Sequence, residues 1–439
     1  MTSYSEVKIL LDKFFGIKKH NSTVKTEVFA GITTFFTMVY IIFVNPAILS
    51  SVGVPFDQVF MATIIATVTG TLIMGLLAKY PIAIAPGMGL NAYFATIVAT
   101  QGLSYQTVFG AIFIAGILFI ILSVSNLRQM ILEAIPSTIK YGITSGIGLF
   151  IAFLGFKQSG IIVGNESTLV AIGDLTAPVT ILSIVGLFIT LILMVRRVQG
   201  AFFIGMIITT IIGFFCGMLE FNGLVSLPPM PTFFDLDLGG VFTNGLYAVI
   251  FAFLLVTIFD TTGTMVAVTE QAGLMENGKI VRAKKAFMGD SIATTVGAMF
   301  GTSPSTAYVE STTGVAAGGR TGLTAVIVAG LFILSMFFSP IISAISNLPA
   351  ITAPVLIIVG CFMMDGLTKI NWKAFDEAFP AFVIILSMPL TSSISTGIAF
   401  GFITYPILKV FSGKAKSVHP IIYIFSVLFL IQMIFFPAH

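Results

Sequence analysis

Three polar residues inside long apolar stretches are the first candidates for chemistry: Asn91, Asp260 and Glu310. Glu310 lies in the run TSPSTAYVESTTGVAAGG, residues 302–319, among seven Ser and Thr residues, one proline and three glycines. A carboxylate in hydrocarbon costs roughly 2.5–3.5 kcal/mol on insertion scales, so chains keep one where it faces a cavity, a partner or a substrate. Its small and helix-breaking neighbours indicate an interrupted helix, which a membrane tolerates only inside protein or beside a wet cavity. The run predicts a transport site.

Each candidate has a functional and a structural interpretation. Glu310 could accept N–H groups of a substrate or carry a coupling proton; the structural alternative is a bond to a neighbouring hydroxyl or to Arg320. Asp260, in IFDTTGT, could be a ligand or a proton carrier, although Asp before Thr-Thr-Gly also suits a helix N-cap. Asn91 could both donate to and accept from a base-like substrate, or it could join two helices by a hydrogen bond. Glu27, at the start of the first apolar segment, complements the helix dipole and is interpreted as structural.

The composition sets the class of protein. The chain is 57% hydrophobic and 9% charged, with a mean hydropathy of +1.07, whereas soluble domains carry about 25% charged residues. This is typical of an all-α polytopic membrane protein, whose main partner is the lipid bilayer. The net charge is +3. The Lys and Arg residues are interpreted as a signal of membrane topology and not as a nucleic-acid-binding patch, so no nucleic-acid partner is expected. Cys216 and Cys361 lie in apolar runs and the histidines are scattered, so neither a metal site nor a cofactor is expected. The absence of G-x-x-x-x-G-K-[ST] disfavours pumping driven by ATP.

About fourteen transmembrane spans follow from the apolar runs. They cover 27–50, 57–78, 82–100, 105–124, 137–156, 175–195, 199–219, 241–268, 286–301, 303–318, 321–344, 350–366, 376–393 and 395–412. With a cytoplasmic N-terminus, twenty of the 21 Lys and Arg residues lie inside, among them Arg128, and only Lys157 lies outside. A fifteenth apolar run, 420–437, is either a further span or a helix on the membrane surface.

Seven spans followed by seven make two halves of opposite orientation, as in inverted-repeat transporters. The prediction is a cytoplasmic N-terminal segment (1–25), a first seven-helix repeat (26–220), a second, inverted repeat (241–412) and a C-terminal hydrophobic segment (413–439). Spans three and ten are both short, rich in Pro or Gly, and carry Asn91 or Glu310. The spacing from Asn45 to Asn91 is similar to that from Asp260 to Glu310, which favours a repeat.

Several motifs resemble those of one family of transporters. They are the segment 14–46, APGMGLNAYF (85–94), ITSGIGLFIA (143–152), FDTTGT (259–264) and TAYVESTTGVAAGGRTGLT (306–324). Together they extend from the N-terminal region towards the last helices. The chain resembles the AzgA-like adenine/guanine/hypoxanthine permeases, a branch of the nucleobase–cation symporters that is related to the xanthine/uracil permeases.

The resemblance implies a fold and a function. It implies fourteen helices in a 7+7 inverted repeat with core and gate domains, and short strand-like breaks at the start of spans three and ten. It implies uptake of hypoxanthine, adenine and guanine with protons, by alternating access, in a bacterial inner (plasma) membrane, with homodimers frequent in the family. The family's binding residues fall on Asn91, Asp260 and Glu310, and the last two are the candidates for proton coupling. From their position beside these residues, Phe259, Tyr93 and Tyr308 are expected to stack on the base.

The same residues bear on four other functions. An anion carrier of the sulfate or bicarbonate type on the same fold would prefer a cationic residue at the site, against which Asp260 and Glu310 argue. A uracil or xanthine transporter stays open. A membrane enzyme would need a nucleophile–base or metal set at depth, where histidine is missing. A channel fits broken mid-span helices less well than alternating access does. The expectation is a transporter and not an enzyme.

Overall fold

The computed structural model describes residues 2–125, 134–221, 223–276 and 279–435. Arg128, used in the topology argument, and the end of the fifteenth apolar run lie outside the described residues. The helices are α1 Thr2–Phe15, α2 Val24–Met38, α3 Ile41–Ser50, α4 Phe56–Ile73, α5 Met88–Gln101, α6 Tyr105–Val124, α7 Ser137–Gln158, α8 Pro178–Val195, α9 Ala201–Phe215, α10 Leu238–Thr243, α11 Tyr247–Gln271, α12 Ala283–Phe300, α13 Ser311–Ala316, α14 Gly322–Ser335, α15 Ser339–Ser346, α16 Pro349–Phe362, α17 Phe375–Thr391, α18 Ile394–Phe411 and α19 Pro420–Phe435. The strands are β1 Ile84–Pro86, β2 Ile162–Asn165, β3 Leu169–Ile172, β4 Met275–Glu276, β5 Lys279–Ile280 and β6 Ser305–Ala307.

Long apolar helices dominate the fold, as the composition predicts. Within the described ranges, nine helical segments are long and apolar enough to cross a membrane. They are Val24–Ser50, Phe56–Ala78, Tyr105–Val124, Ser137–Gln158, Pro178–Val195, Tyr247–Gln271, Gly322–Ser346, Pro349–Lys369 and Ile394–Phe411. Each lies on a predicted span, and the remaining predicted spans are occupied by α9, α12 and α17 or by a strand followed by a helix.

The first apolar segment is interrupted near its middle. Regular helix ends at Met38 and begins again at Ile41, although Val39 and Tyr40 keep right-handed helical dihedral angles. Pro46 in α3 has no N–H, so it cannot donate to the carbonyl one turn earlier. The interruption sets the buried Tyr40 side chain at the joint between α2 and α3.

Two short strands form a buried pair and confirm the predicted strand-like breaks. β1 pairs with β6 in antiparallel register, with Ile84 opposite Ala307 and Pro86 opposite Ser305. A helix follows each strand, α5 after β1 and α13 after β6, so the two helices leave the pair in opposite directions. The tenth predicted span is helical over only six residues in α13, which makes it a short half-helix.

The outer edges of this two-stranded sheet are satisfied by side chains. The Thr71 hydroxyl of α4 bonds the backbone N–H and C=O of Ile84, both at 3.0 Å. On the other edge, the Thr294 hydroxyl of α12 accepts from the Ser305 N–H at 3.0 Å and donates to its C=O at 3.3 Å. Because buried backbone groups without partners are costly in a membrane protein, these threonines let a strand exist at this depth. Both residues are at equivalent places, in the second helix of each predicted repeat.

The helices pack in two groups with α11 between them. In one group α4 packs on α12 and α14, and α12 on α6; in the other α7 packs on α16 and α17, and α17 on α18. Helix α11 contacts α6 and β6 of the first group as well as α7 and α18 of the second. Close approach in the second group depends on glycine, since a Cβ at Gly360 would overlap the Gly148 carbonyl oxygen.

The fifteenth apolar run is a helix packed against the bundle. In α19, the Phe425 ring lies 4.8 Å from Phe251 of α11 and 5.7 Å from Phe402 of α18, between centroids. Phe429 contacts the same two rings at 5.5 and 5.6 Å. Such packing along two buried helices favours a further span over a helix on the membrane surface.

Candidate functional site

Two carboxylates that are 50 positions apart meet in one cavity. This central cavity of about 90 Å³ adjoins β6 and the start of α5. Its walls are Tyr40, Met88, Gly89, Asp260, Thr264, Thr306, Ala307, Tyr308, Val309, Glu310, Val359 and Met363. The structure therefore brings together Asp260, Glu310 and Tyr308 of the predicted site. Most of the other walls are apolar or small side chains, as is typical of small-molecule sites.

Glu310 stands directly before α13 and is held by a tyrosine. The Tyr40 hydroxyl donates a hydrogen bond to Oε1 of Glu310. Arg320 does not pair with Glu310, because its guanidinium donates to the carbonyl oxygens of Val315 and Gly319. The proposed pairing with Arg320 is therefore wrong. The hydroxyl that Glu310 does meet comes from the first apolar segment and not from a neighbour in sequence.

Asp260 lies in the middle of a continuous helix. Helix α11 runs without a break from Tyr247 to Gln271, so the alternative of Asp260 as an N-cap is wrong. The Asp260 side chain lies against Thr306 of β6. Backbone of β6 is tied to the same helix, since the Ala307 N–H donates to the Thr261 hydroxyl at 3.2 Å.

Two of the three predicted stacking residues, Tyr308 and Phe259, line different cavities. Tyr308 lines the central cavity, and its hydroxyl donates to the Pro86 carbonyl oxygen at 2.6 Å, which fixes its ring beside the strands. Phe259 lines an adjoining side cavity of only about 10 Å³, the size of a single water site, whose walls share Gly89, Asp260 and Met363 with the central one. Asp260 therefore faces both spaces.

Asn91 lies away from both cavities. It is fully buried on α5 and accepts a hydrogen bond from the Ser303 hydroxyl, and it is not among the residues that line the central or side cavity. Asn45 is also bonded to hydroxyl groups, since its Nδ2 donates to Thr63 and Thr302 at 2.7 and 2.8 Å. In this structure the two asparagines anchor the link between α12 and β6, and a ligand role for Asn91 stays a prediction.

A wider vestibule leads to Glu310 from one side. It measures about 320 Å³ and shares Val309 and Glu310 with the central cavity. Its outer walls include Arg197 and Gln199, in the turn between α8 and α9 that the charge pattern predicts to be cytoplasmic. Glu310 thus lies where the central cavity meets the vestibule.

Comparison with known proteins supplies the family. The family model described as Permease family (Xan_ur_permease) matches residues 25–400. The chain belongs to this permease family. It is 59% identical over 428 residues to the guanine/hypoxanthine permease PbuO of Bacillus subtilis, covering 95% of this chain and 99% of that protein. It is 44% identical over 434 residues to the adenine permease AdeP of Escherichia coli, covering 98% and 97%.

The fold of this permease is also similar to a solved structure. The transmembrane domain of the cyanobacterial bicarbonate transporter BicA matches with a TM-score of 0.65 and 17% identity, over 84% of this chain and 96% of that chain. At this identity the likeness concerns the fold alone. Together these comparisons confirm the family resemblance drawn from the motifs, and they confirm a multi-pass membrane transporter that is not an enzyme.

Two residues of this permease were missed or underestimated from the sequence. Tyr40 carries no signal of its own, because it stands among Met, Val, Ile and Phe in an apolar run. Glu27 is fully buried and does more than complement the dipole of α2. Its carboxylate accepts from the backbone N–H groups of Arg320 and Thr321 at 3.0 and 3.2 Å and from the Thr324 hydroxyl at 2.6 Å. Glu27 thereby caps the start of α14 from another helix.

Proposed function

We propose that this permease imports the purine nucleobases hypoxanthine, guanine and adenine by proton symport with alternating access. Support comes from the relatives, which are named as guanine/hypoxanthine and adenine permeases and align along nearly the whole chain. The observation that carries the proposal is the pair of carboxylates, Asp260 and Glu310, on the wall of one cavity beside Tyr308.

The chemistry of a purine suits these walls. A purine edge presents N–H groups, and a carboxylate can accept two of them side by side in charge-assisted bonds. Glu310 takes this part in the proposal. The aromatic faces of Tyr308 and Phe259 offer stacking surfaces, which tolerate every base. Asn91 would complete the polar edge in a conformation in which it reaches the cavity.

Proton coupling is assigned to the two acids. Entry of a proton onto Asp260 or Glu310 neutralises a charge that would otherwise have to move through a low-dielectric interior. The protein with a protonated acid and a bound base would then cross the barrier between its outward-open and inward-open states more easily than the protein with an ionised carboxylate. Since both acids line one cavity, the proton and the base meet at the same place.

The proposed architecture has fourteen spans in a 7+7 inverted repeat, with repeats at 26–220 and 241–412. The group of α4, α6, α12 and α14, which carries the strand pair, would be the core domain. The group of α7, α16, α17 and α18 would be the gate domain. Rocking of the core against the gate would expose the site to each side in turn. The N-terminal segment 1–25 would be cytoplasmic, the segment 413–439 would add a helix, and the protein would form homodimers in a bacterial inner membrane.

The anion carrier is the rival with a similar fold. Among the residues that line the central cavity, none is basic, whereas two are acidic. An anion would meet an unfavourable potential there unless both acids were protonated. The acids therefore favour a substrate that donates hydrogen bonds.

Uptake by purified protein in proteoliposomes tests the proposal. Labelled hypoxanthine should enter saturably with an inward proton gradient, and a protonophore should abolish accumulation. Adenine and guanine should compete, whereas uracil, xanthine and sulfate should not. The Glu310→Gln variant should lose most of the uptake. Glu220 is an exposed acid that follows α9 in the chain, and the Glu220→Gln variant should match the wild type. Uptake of sulfate or bicarbonate without purine uptake would refute the proposal in favour of the anion carrier.

A further inference from the structure

Tyr40 touches the site from a helix to which sequence reasoning assigned no ligand. Its side chain is almost completely buried, at the joint between α2 and α3. Its hydroxyl donates to Oε1 of Glu310, and its ring lines the central cavity. The ring also rests on Phe202 of α9, with 5.3 Å between centroids.

We infer that Tyr40 is the positioning residue for Glu310, and that it sets how strongly this permease distinguishes a base by its N–H groups. The inference rests on the proposed function. Tyr40 holds one oxygen of the Glu310 carboxylate and so turns the other, Oε2, towards the base.

The geometry explains why Glu310 needs such a partner. Glu310 precedes α13, a helix of only six residues, so the local backbone provides little rigidity. Thr37 of α2 bonds Thr313 of α13 at 3.0 Å, which ties the same two elements together one turn away. The bond from Tyr40 therefore continues an existing contact between α2 and α13 into the site. Without this bond the Glu310 side chain, which has two rotatable bonds beyond Cβ, would be free to turn into the vestibule.

The other groups around Glu310 do not replace this bond. Asp260 and Tyr308 line the same cavity, but the Tyr308 hydroxyl is already used on the Pro86 carbonyl oxygen. Arg197 lines the vestibule and not the central cavity. Arg320 donates to backbone carbonyls. Among the described residues, Tyr40 is thus the side chain that donates to the Glu310 carboxylate.

The test compares Tyr40→Phe with Tyr40→Leu in proteoliposomes. Phe keeps the ring against Phe202 and removes only the hydroxyl, whereas Leu removes both. Tyr423→Phe is the control for loss of a tyrosine hydroxyl, because the Tyr423 hydroxyl on α19 donates to a backbone carbonyl oxygen, that of Ala415 at 3.1 Å, away from the cavities. KM and maximal rate are measured for labelled hypoxanthine, and inhibition constants for hypoxanthine methylated at N1 or at N9. Thermal unfolding of each variant checks that it is folded.

The expected result is a rise of KM on the order of tenfold in Tyr40→Phe, as for loss of a hydrogen bond to a charged group. The maximal rate should fall less than KM rises. Affinity for the methylated base that lacks the recognised N–H should change little, so discrimination between the two bases should fall. Tyr423→Phe should keep wild-type values.

Two results would overturn the inference while leaving the proposed function intact. In the first, Tyr40→Phe transports hypoxanthine with the wild-type KM and only Tyr40→Leu is impaired, which would assign the effect to ring packing. In the second, Tyr40→Phe weakens all bases equally, so that discrimination is unchanged. If the wild type itself moved no purine, the proposed function would fail instead, and the two failures are therefore distinct.

Discussion

Lys409 is buried in the last turn of α18, and its replacement by Met should destabilise the second helix group. Its ammonium lies 2.8 Å from Oδ2 of Asp376 and 2.5 Å from Oε1 of Glu377, at the start of α17. Removing one member of a buried ion pair costs about 3–5 kcal/mol, because the partner charge is left without compensation. In this variant Asp376 would still be paired with the Lys414 ammonium at 2.8 Å, and Glu377 would still accept from the Thr138 hydroxyl at 2.5 Å. We therefore expect the lower end, about 3 kcal/mol.

Thermal unfolding of the purified protein measures this cost. An unfolding entropy of about 2 cal/mol/K per residue gives roughly 0.9 kcal/mol/K for this length, so about 3 kcal/mol lowers Tm by roughly 3 °C. The matched control is Lys414→Met, which removes a half-exposed ammonium from the same Asp376 and should cost less than about 1 kcal/mol. Adding Glu377→Gln to Lys409→Met should restore part of the loss. Equal Tm values for the two lysine variants would refute the argument that burial decides the cost.

Two other predictions concern the half-helix and the topology. In Gly314→Ala the new Cβ would overlap the Thr34 hydroxyl and lie 2.8 Å from the Ala30 carbonyl oxygen, so α13 should shift and KM for hypoxanthine should rise several-fold. Adding Thr34→Ala should bring KM part of the way back. A wild-type KM in Gly314→Ala would instead show that α13 adapts freely. In a background without Cys216 and Cys361, Leu227→Cys in the predicted outer loop should react with an impermeant maleimide in intact cells. Lys285→Cys should react only after permeabilisation, and the reverse pattern would invert the predicted topology.

Much of the fold follows from the sequence because a bilayer imposes strong constraints. Apolar runs of span length predict helices, and each long helix of the structure falls on one of them. The breaks in spans three and ten are visible as Pro86 and Gly87 in one and Pro304 in the other, since these residues interrupt a helix. The pairing of β1 with β6 could not be derived from periodicity, because strands of three residues carry no alternation. The family resemblance implied only the strand-like breaks in these two spans, and their pairing was not predicted.

The site was predictable only where a charge stood out. Asp260 and Glu310 are conspicuous because hydrocarbon disfavours them. The N-cap alternative for Asp260 failed because α11 continues through Thr261 and Thr262, where packing on both helix groups outweighs a local capping preference. Tyr40 could not be recognised, because an aromatic residue in an apolar run has no distinguishing pattern. Only the packing of α2 on α13 brings its hydroxyl to Glu310.

The strand pair explains how a broken backbone can carry a precise site. Thr71 and Thr294 satisfy its outer edges from α4 and α12, so the strands are held by the helix group proposed as the core. Glu310 follows β6, and its partner Tyr40 lies just after α2, a helix that packs on α14 of that same group and on α13. Val359 and Met363, in contrast, come from the proposed gate. In the proposed mechanism, rocking of the core against the gate would change access to the cavity while the Tyr40–Glu310 bond moves with the core, so the ligand geometry can stay constant as the mouth changes side.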